Sequence, residues 1–291
     1  MLIGEEGTKD LVSLWQIYLF SYALALRSVS RKHLKDLLRL VLEPCNYWRN
    51  VEVPAVLNHL GVERGEKVLD IGSPKLPSLF VWSRLGAEVW ATDLFDYFVD
   101  EYSHYLGRLR SPSPAATYHI EVQDARRLSY PDSYFDKVYS ISVLEHIEDS
   151  GDSVAMKEIA RVLKPGGTCC LTVPAARNYS EETISQEIYY KKPVGGKPVF
   201  YQRHYDRDAL KSRLIEPSGL QFLAVEYFGE RWIPYEQWYS RLPCIIKIPI
   251  SVLGPLFSKL FLCRIEADSR REPKAALVKL RKTPSASGSE A

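Results

Sequence analysis

Two acidic residues, each at the end of a short apolar stretch, are the first candidates for chemistry in this sequence. Residues 67–71 form a mostly apolar run that carries Asp70 and ends at Gly72, and Asp93 follows the apolar run 88–92. In open α/β sheets, ligands bind at the carboxyl ends of the strands. Asp93 lies 21 positions after Gly72, a spacing at which a strand-end carboxylate can reach the ribose hydroxyls of a nucleotide-like ligand. The two stretches therefore predict a cofactor site.

The elements that would position these residues alternate between strand-like and helix-like patterns. Strands are predicted at 67–71, 88–92, 118–122, 137–142 and 168–173, with a sixth at 221–227 and a seventh at 275–280. Helices are predicted between them, including 76–85 and 97–107. Strands that alternate with helices indicate a parallel sheet covered by helices. The sequence therefore predicts an α/β fold with a Rossmann-like, doubly wound, seven-stranded and mostly parallel sheet.

Two apolar additions flank this predicted core. Residues 11–26 carry no charge, but they fall short of the roughly 18 apolar residues that a membrane-spanning helix needs. A second helix, capped by Ser30, has leucines at helical spacing on one face and basic residues on the other. Its basic face indicates solvent contact or, as the weaker alternative, a membrane surface. The segment 231–270 is an apolar insertion interrupted by prolines, which predicts a pocket cap, a dimer surface or a membrane-interface element.

The chain is thus predicted to divide into five segments. They are an N-terminal helical extension (1–62), the α/β core (63–230), the C-terminal apolar insertion (231–270), a final strand (271–283) and a disordered tail (284–291). The stretch 174–204 leaves the ligand-facing edge of the sheet and is long for a connection in a compact domain. It predicts a lid over that edge.

Composition and charge exclude several classes of function. The chain has 38 Lys and Arg against 36 Asp and Glu, a net charge of +2 that gives no general attraction to nucleic acid. The five cysteines form no CxxC pair and no Cys/His metal-ligand spacing, and no secretory signal is visible. We therefore expect reduced thiols, no metal site, no nucleic-acid partner and a cytoplasmic protein. The oligomeric state stays open.

Six short motifs occur in order between residues 63 and 174. They are Val68-Leu69-Asp70-Ile71-Gly72, Ala91-Thr92-Asp93, Gln123-Asp124-Ala125, Phe135-Asp136-Lys137-Val138-Tyr139-Ser140, Val143-Leu144-Glu145-His146-Ile147 and Leu163-Lys164-Pro165-Gly166-Gly167. Together they resemble the motifs of class I S-adenosylmethionine-dependent methyltransferases, in particular the quinone-biosynthesis branch. The resemblance implies that S-adenosylmethionine is the cofactor and that a small or lipid-like molecule is the methyl acceptor. It places the cofactor against nine residues: Asp70, Gly72, Ser73, Asp93, Leu94, Asp124, Ala125, Ser140 and Ile141.

The resemblance gives the three aspartates separate roles. Asp70 would favour the cationic end of the cofactor, Asp93 would accept hydrogen bonds from both ribose hydroxyls, and Asp124 would accept one from the adenine amine. Each has an ordinary structural alternative. These alternatives are a turn-stabilising carboxylate for Asp70, a helix cap for Asp93 and an Asx-turn for Asp124.

Three further residues are candidates for catalysis. His146 follows the fourth strand, and an imidazole with a pKa of about 6.5 can accept a proton near neutral pH. His204 and Tyr205 lie at the end of the predicted lid. A structural hydrogen bond is the alternative role for each of the three.

The resemblance breaks at the glycine-rich loop. The family's usual loop would have glycines at positions 72, 74 and 76, and this chain has Gly72, Pro74 and Leu76. Proline cannot adopt the positive φ that glycine adopts. This departure motivates a second hypothesis, a non-catalytic ligand-binding protein on the same fold. A third hypothesis, a nicotinamide-dependent dehydrogenase, lacks support because no G-x-G-x-x-G follows the first strand.

The two apolar additions also bear on the acceptor. Large apolar residues mixed with Lys and Arg are suited to line a hydrophobic pocket or to contact the surface of an anionic membrane. We therefore expect a hydrophobic acceptor and peripheral membrane contact. The alternative is that both additions pack on the core and bury their apolar faces there.

Overall fold

The computed structural model describes residues 11–29, 34–72, 75–96, 98–185, 197–232, 234–266 and 269–284. Within these residues, the strands form two sheets. The strands are β1 (Lys67–Ile71), β2 (Glu88–Asp93), β3 (Tyr118–Val122), β4 (Phe135–Ile141), β5 (Leu163–Pro174), β6 (Ser180–Ile184), β7 (Val199–His204), β8 (Gln221–Glu230), β9 (Leu262–Ile265) and β10 (Ala275–Arg281). The large sheet has eight strands in the order β3-β2-β1-β4-β5-β10-β8-β9, and β6 pairs with β7 in a separate hairpin.

The first five strands of the large sheet are parallel. β1 lies between β2 and β4, and β3 and β5 extend this set on either side. β10 is antiparallel to both β5 and β8, and β9 is antiparallel to β8. The strand order reverses between β1 and β4, and ligands of doubly wound sheets bind in the crevice at such a point. The predicted α/β fold with a Rossmann-like, mostly parallel sheet is confirmed.

The prediction of seven strands is wrong, because the large sheet has an eighth strand, β9. β9 pairs with the end of β8, from Ile265 opposite Tyr227 to Leu262 opposite Glu230. The sequence analysis placed residues 262–265 inside the apolar insertion. This four-residue strand follows an apolar helix directly, so no turn signal separates the two in the sequence.

Helices cover both faces of the large sheet. They are α1 (Leu14–Arg27), α2 (Leu34–Leu42), α3 (Arg49–Leu60), α4 (Lys75–Phe80), α5 (Val99–Leu106), α6 (Gly151–Val162), α7 (Arg207–Ala209), α8 (Glu216–Ser218), α9 (Tyr235–Ser240), α10 (Cys244–Val252) and α11 (Gly254–Phe261). Two π-helical segments, Val81–Leu85 and Leu210–Ile215, continue α4 and α7, and a 3₁₀ turn, Leu144–His146, follows β4. Ser30, the predicted cap of α2, lies outside the described residues.

Side chains of the parallel strands alternate between two cores, one on each face of the sheet. Val68 and Tyr139 belong to the core that includes residues of α1, α3 and α4, whereas Leu69 and Val138 belong to the core with α6. This alternation follows from the two-residue period of a strand. α3 packs across β4, β5 and β10. It therefore brings the N-terminal helices against the middle of the sheet.

The predicted lid contains the β6–β7 hairpin. The two strands pair antiparallel, with Ser180 opposite His204 and Ile184 opposite Val199. Residues 186–196, which connect them, lie outside the described residues. β7 packs on the 3₁₀ turn after β4. The hairpin therefore lies at the carboxyl edge of the sheet, where the sequence predicted a lid.

Candidate functional site

The turn after β1 requires a glycine. Gly72 has a φ of +62°, and its N–H donates to the Thr92 carbonyl at 2.8 Å. A Cβ at this position would lie 2.8 Å from Cγ1 of Val143, closer than real Cβ atoms come to their neighbours. The turn therefore needs a glycine both for its positive φ and for the packing of Val143 against it. Ser73 and Pro74, the next two residues, lie outside the described residues.

Asp70 is buried at the end of β1. Its Oδ2 accepts a hydrogen bond from the Tyr139 hydroxyl at 2.8 Å, and its carbonyl accepts one from Thr92 Oγ1 at 2.8 Å. Burial, together with the nearby Asp70 charge, raises the pKa of Tyr139 well above its usual value. Tyr139 therefore stays a neutral donor that holds the carboxylate in place.

Asp93 ends β2 as a half-buried carboxylate. Its Oδ1 accepts from the Phe95 N–H at 3.2 Å, and its carbonyl accepts from Gln123 N–H at 2.8 Å. Leu94, the next residue, exposes 45% of its surface. The carboxylate and the apolar side chain thus lie together at the same strand end, where the resemblance implied a ribose contact for Asp93 and a cofactor contact for Leu94.

Asp124 lies beyond β3 in a turn that its own side chain stabilises. Oδ1 accepts from the Arg126 N–H at 2.9 Å, and Oδ2 pairs with Nη2 of Arg126 at 2.7 Å. The hydrogen bond from the Arg126 side chain lowers the pKa of Asp124 below its usual value. This is the Asx-turn geometry that the sequence analysis gave as the alternative. Ala125 lies inside the turn and is partly buried against the α6 side of the sheet.

Ser140 and Ile141 are buried at the end of β4. The Ser140 hydroxyl donates to the Ile71 carbonyl at 3.1 Å, which ties β4 to β1. Ile141 lies in the core with no exposed surface. Both residues therefore shape the strand end from within.

The three candidates for catalysis have separate partners. Nδ1 of His146 is 2.9 Å from the Tyr201 carbonyl of β7, so this nitrogen carries the proton. Nε2 of His204 is 3.3 Å from Glu182 in the hairpin. Tyr205 is fully buried, and its hydroxyl donates to Oδ2 of Asp152 at 2.8 Å.

A buried group of charges between α3 and β4 was missed by the sequence analysis. Arg49 and Glu52, one turn apart on α3, form an ion pair, and Glu52 is 1% exposed. Nη1 of Arg49 donates to Oγ of Ser142 at 2.6 Å, and this hydroxyl donates to Oε1 of Glu52 at 3.1 Å. Ser142 has a φ of +50°, so the chain bends sharply here.

Glu145, in the turn after β4, is the second carboxyl of this group. It is 1% exposed, and among the described residues its Oε2 has no hydrogen-bond partner. Burial raises the pKa of Glu145 to about 8. Its Oε1 lies 3.8 Å from Nε2 of His146. The signal in the sequence was a carboxyl directly after an apolar strand, but nothing there showed that it would be enclosed.

The part of the chain that builds this edge matches known proteins. Residues 69–171 match the family of methyltransferase domains. The ubiquinone/menaquinone biosynthesis C-methyltransferase of Nitrosospira multiformis is 32% identical over 164 residues, which are 54% of this chain and 64% of that protein. The protein of the same name from Laribacter hongkongensis is 31% identical over 177 residues, 55% of this chain and 69% of that one. The chain thus spans just under two thirds of the first relative and just over two thirds of the second.

The fold itself also has counterparts among solved structures. A candidate S-adenosylmethionine-dependent methyltransferase of Listeria monocytogenes aligns with a TM-score of 0.51 at 17% sequence identity. The alignment covers 81% of this chain and 96% of the other. At this identity the likeness concerns the fold alone.

Proposed function

The chain belongs to the class I S-adenosylmethionine-dependent methyltransferases, in the branch of the ubiquinone/menaquinone C-methyltransferases, and on that premise we propose that its acceptor is a hydrophobic, quinone-like molecule. The acceptor class is that named for the relatives, and its transfer to this chain is part of the proposal. The observation that supports it most directly is a large exposed apolar surface on helices that adjoin the site.

The strand-end residues fit S-adenosylmethionine by the chemistry of their groups. When bound, this cofactor supplies a methyl group on a positively charged sulfur. Gly72 forms a tight turn with positive φ at the end of β1, and Asp93 offers a half-buried carboxylate at the end of β2. We propose that Gly72 allows close backbone approach, that Asp93 accepts from the ribose hydroxyls, and that Asp70 favours the cationic end.

The remaining strand-end residues receive supporting roles in this proposal. Asp124 already accepts from the N–H, Nε and Nη2 of Arg126, so the adenine amine would have to share the carboxylate with this arginine or displace it. Ala125 adds backbone groups, and the exposed Leu94 offers an apolar contact for the base. Ser140 and Ile141 hold the shape of the β4 end.

Of the three candidates for catalysis, the contacts favour His146, in a role beside Glu145 rather than as the proton acceptor itself. Because its Nδ1 is held by a carbonyl, the lone pair of the neutral ring is at Nε2, the nitrogen nearer to Glu145. Tyr205 and His204 are proposed instead to stabilise the hairpin and its junction with α6.

The exposed apolar surface, here called the apolar face, lies on four helices. α1 contributes three residues spaced four and seven apart, which is one side of a helix. Its members are each at least 38% exposed: Trp15, Leu19 and Leu26 on α1; Leu34, Leu38 and Val41 on α2; Ile246 on α10; and Leu256 and Leu260 on α11. A surface of this size on a water-soluble domain marks a binding region for an apolar partner.

The apolar face is linked to the site through α3. α2 packs against α1 and α10, and α11 packs against α10 and α3. The Tyr22 hydroxyl of α1 donates to the Val252 carbonyl of α10 at 3.3 Å, which joins the N-terminal and C-terminal helices. The first turn of α3 in turn carries Arg49 and Glu52 to the end of β4. The apolar face is therefore connected to the strand ends through packed helices.

The charges beside the apolar face favour an anionic membrane as the source of the acceptor. Among the residues of the four helices whose side chains the structure describes, four are basic, Arg27, Arg39, Lys247 and Lys259, and none is acidic. Each basic residue near an anionic bilayer contributes about 1 kcal/mol to binding. Among the described residues, no helix has the length and apolar composition to cross a bilayer. From the basic charges and the exposed apolar residues together, we propose peripheral contact with an anionic membrane.

Methyl transfer to ring acceptors with alkyl chains of increasing length tests the acceptor proposal. Each buried methylene contributes about 0.8 kcal/mol, so kcat/KM should rise roughly fourfold per methylene until the pocket is filled. The matched control is the same ring with a chain that ends in a carboxylate. A clear preference for small polar acceptors would contradict the proposal.

Co-sedimentation with lipid vesicles tests the membrane contact. We expect binding to vesicles that contain phosphatidylglycerol, and weaker binding as salt is added. Leu19→Glu and Leu256→Glu should each weaken it about tenfold or more, because a charge replaces about 1.5–3 kcal/mol of leucine burial. The control is Val154→Glu, a similarly exposed apolar residue on α6, at the opposite face of the sheet. Equal loss in the control variant would show that the apolar face has no special role.

The non-catalytic alternative finds no support in the relatives, which are named as methyltransferases. Its motivation remains Pro74 and Leu76, of which Leu76 is buried in α4. Isothermal calorimetry with S-adenosylhomocysteine separates the two hypotheses, because a methyltransferase should bind this product with micromolar affinity.

A further inference from the structure

Glu145 is enclosed by three elements. The turn Leu144–His146 that carries it packs against β7 of the hairpin and against α6. On the third side lies α3, whose Arg49 and Glu52 reach the neighbouring residue Ser142. The carboxyl is therefore shielded from water by the N-terminal helices and by the hairpin together.

The charged groups that face Glu145 are already paired with other residues. Arg49 and Glu52 of α3 pair with each other. His146, in the same turn, binds the Tyr201 carbonyl, and Tyr205 at the end of the hairpin binds Asp152. Oε2 of Glu145 is the atom left over, without a hydrogen-bond partner among the described residues.

An unpartnered polar atom in such a place has a cost. Leaving a buried acceptor unsatisfied destabilises a fold by about 1–3 kcal/mol, so each such atom calls for an explanation. At Glu145 the other oxygen, Oε1, lies 3.8 Å from Nε2 of His146, while Oε2 is left over. A role for the carboxyl beyond packing would explain why this atom has no partner among the described residues.

The enclosed carboxyl lies next to the proposed cofactor site. Val143, two residues before it, packs directly on the position where Gly72 lacks a Cβ. Ser142 N–H donates to the Thr172 carbonyl of β5, which fixes the turn on the sheet. Glu145 therefore lies in the turn that leaves the edge formed by β1 and β4.

We propose that Glu145 is the proton acceptor of the methyl transfer reaction. The O–H or C–H bond of the acceptor breaks, its electron pair stays on the acceptor as the nucleophile, and a new O–H bond forms at Oε2. The proton leaves to water after the product departs, which restores the carboxylate. The inference rests on the methyltransferase activity and on neither the quinone-like nature of the acceptor nor the membrane contact.

The ionisation of Glu145 suits this role. Its pKa of about 8 lies close to the pH at which the enzyme would work, where a general base is most effective. The folded pKa lies above that of the unfolded chain, so the neutral carboxyl contributes stability at low pH. This contribution is lost as the pH rises from the acid range through about 8.

The test uses Glu145→Gln, with Glu148→Gln as the matched control at an exposed position three residues further on. With whichever acceptor wild-type enzyme methylates, Glu145→Gln should lower kcat by about 10²–10⁴-fold. Its affinity for S-adenosylhomocysteine should stay within about twofold of wild type, since the lost group acts on the acceptor. The wild-type kcat should rise with pH and level off above about 8, and this limb should vanish in the variant.

A second measurement needs no acceptor. The infrared carbonyl band of a protonated carboxyl should disappear from the free wild-type protein as the pH passes about 8. The band should be missing in Glu145→Gln and present in Glu148→Gln. If Glu145→Gln does not fold, Glu145→Asp keeps the carboxyl and should retain the pH limb with a lower kcat.

Two outcomes would overturn the inference. One is a folded Glu145→Gln variant whose kcat stays within about threefold of wild type. The other is a wild-type pH profile without a limb near 8. Failure of the acceptor proposal would give a different result. The enzyme would then methylate polar acceptors, and its kcat would still depend on Glu145.

Discussion

Asp152→Ala should lower the free energy of unfolding by about 3 kcal/mol, the lower end of the cost of breaking a buried ion pair. Asp152 is fully buried in the first turn of α6. Its carboxylate accepts from the Tyr205 hydroxyl at 2.8 Å and from Nε and Nη2 of Arg213 at 2.8 and 2.9 Å. The alanine leaves a buried hydroxyl without an acceptor. Arg213 is partly exposed and can turn to water, which is why the lower value applies. Urea denaturation measures the change.

The control for this prediction is Asp132→Ala. Asp132 also pairs with an arginine, Arg161, at 2.8 Å, but 77% of its side chain is exposed. Exposed ion pairs contribute about 0–1 kcal/mol, so this variant should unfold almost as wild type does. Similar losses in both variants would mean that burial of Asp152 is not what makes its ion pair important.

The contact between Tyr205 and Asp152 also separates the two possible roles of Tyr205, a structural one and a catalytic one. If the hydroxyl is structural, Tyr205→Phe should lower stability and leave the kcat of the remaining folded enzyme unchanged. If Tyr205 is catalytic, kcat should fall in a protein of normal stability. The hydrogen bond to Asp152 favours the first result.

The parallel strands could be predicted because local pattern and tertiary environment agree there. β1 and β3 have the predicted bounds, and β2 extends the prediction by one residue, Asp93. β5 begins at Leu163, earlier than predicted, because the Pro-Gly-Gly turn is taken up as an irregularity in the pairing with β4. Sequence periodicity describes such a strand well, since both faces are buried.

The β6–β7 hairpin and β9 could not be predicted, because their local sequence pattern does not reflect their tertiary environment. β6 reads Ser-Glu-Glu-Thr-Ile, and four of its five residues are exposed. Its pairing with β7 depends on long-range contact rather than on an apolar face. β9 forms only because β8 offers a free edge beside it. Neither cause leaves a pattern in the local sequence.

The residues of the site also fall into those that could be placed from the sequence and those that could not. The strand-end residues Gly72 and Asp93 follow from the order of strands and could be placed from the sequence. The group formed by Arg49, Glu52 and Ser142 could not, because its hydrogen bonds join residues about 90 positions apart. The burial of Glu145 depends on two elements that are distant in the sequence, α3 and the hairpin. The hairpin region was predicted as a lid and not as a pair of strands.

Asp93→Ala should weaken the binding of S-adenosylhomocysteine about 10–150-fold for each hydrogen bond lost, since a hydrogen bond to a charged group contributes about 1.5–3 kcal/mol. Asp93 is half-buried at the end of β2, and the pairing of this strand with β1 and β3 is made by backbone groups. Removal of the carboxylate should therefore leave the strand and its pairing intact. Calorimetry measures the affinity, and circular dichroism checks the fold.

The matched control is Asp96→Ala, three residues further on and exposed at the surface. It removes the same charge from the same loop, so any general electrostatic effect on the cofactor should appear in both variants. A specific contact with the ribose hydroxyls should appear in Asp93→Ala alone. Asp93→Asn sharpens the comparison, because the amide keeps one acceptor oxygen and should lose less affinity than alanine. Unchanged affinity in a folded Asp93→Ala protein would remove Asp93 from the cofactor site and reduce it to the helix cap considered from the sequence.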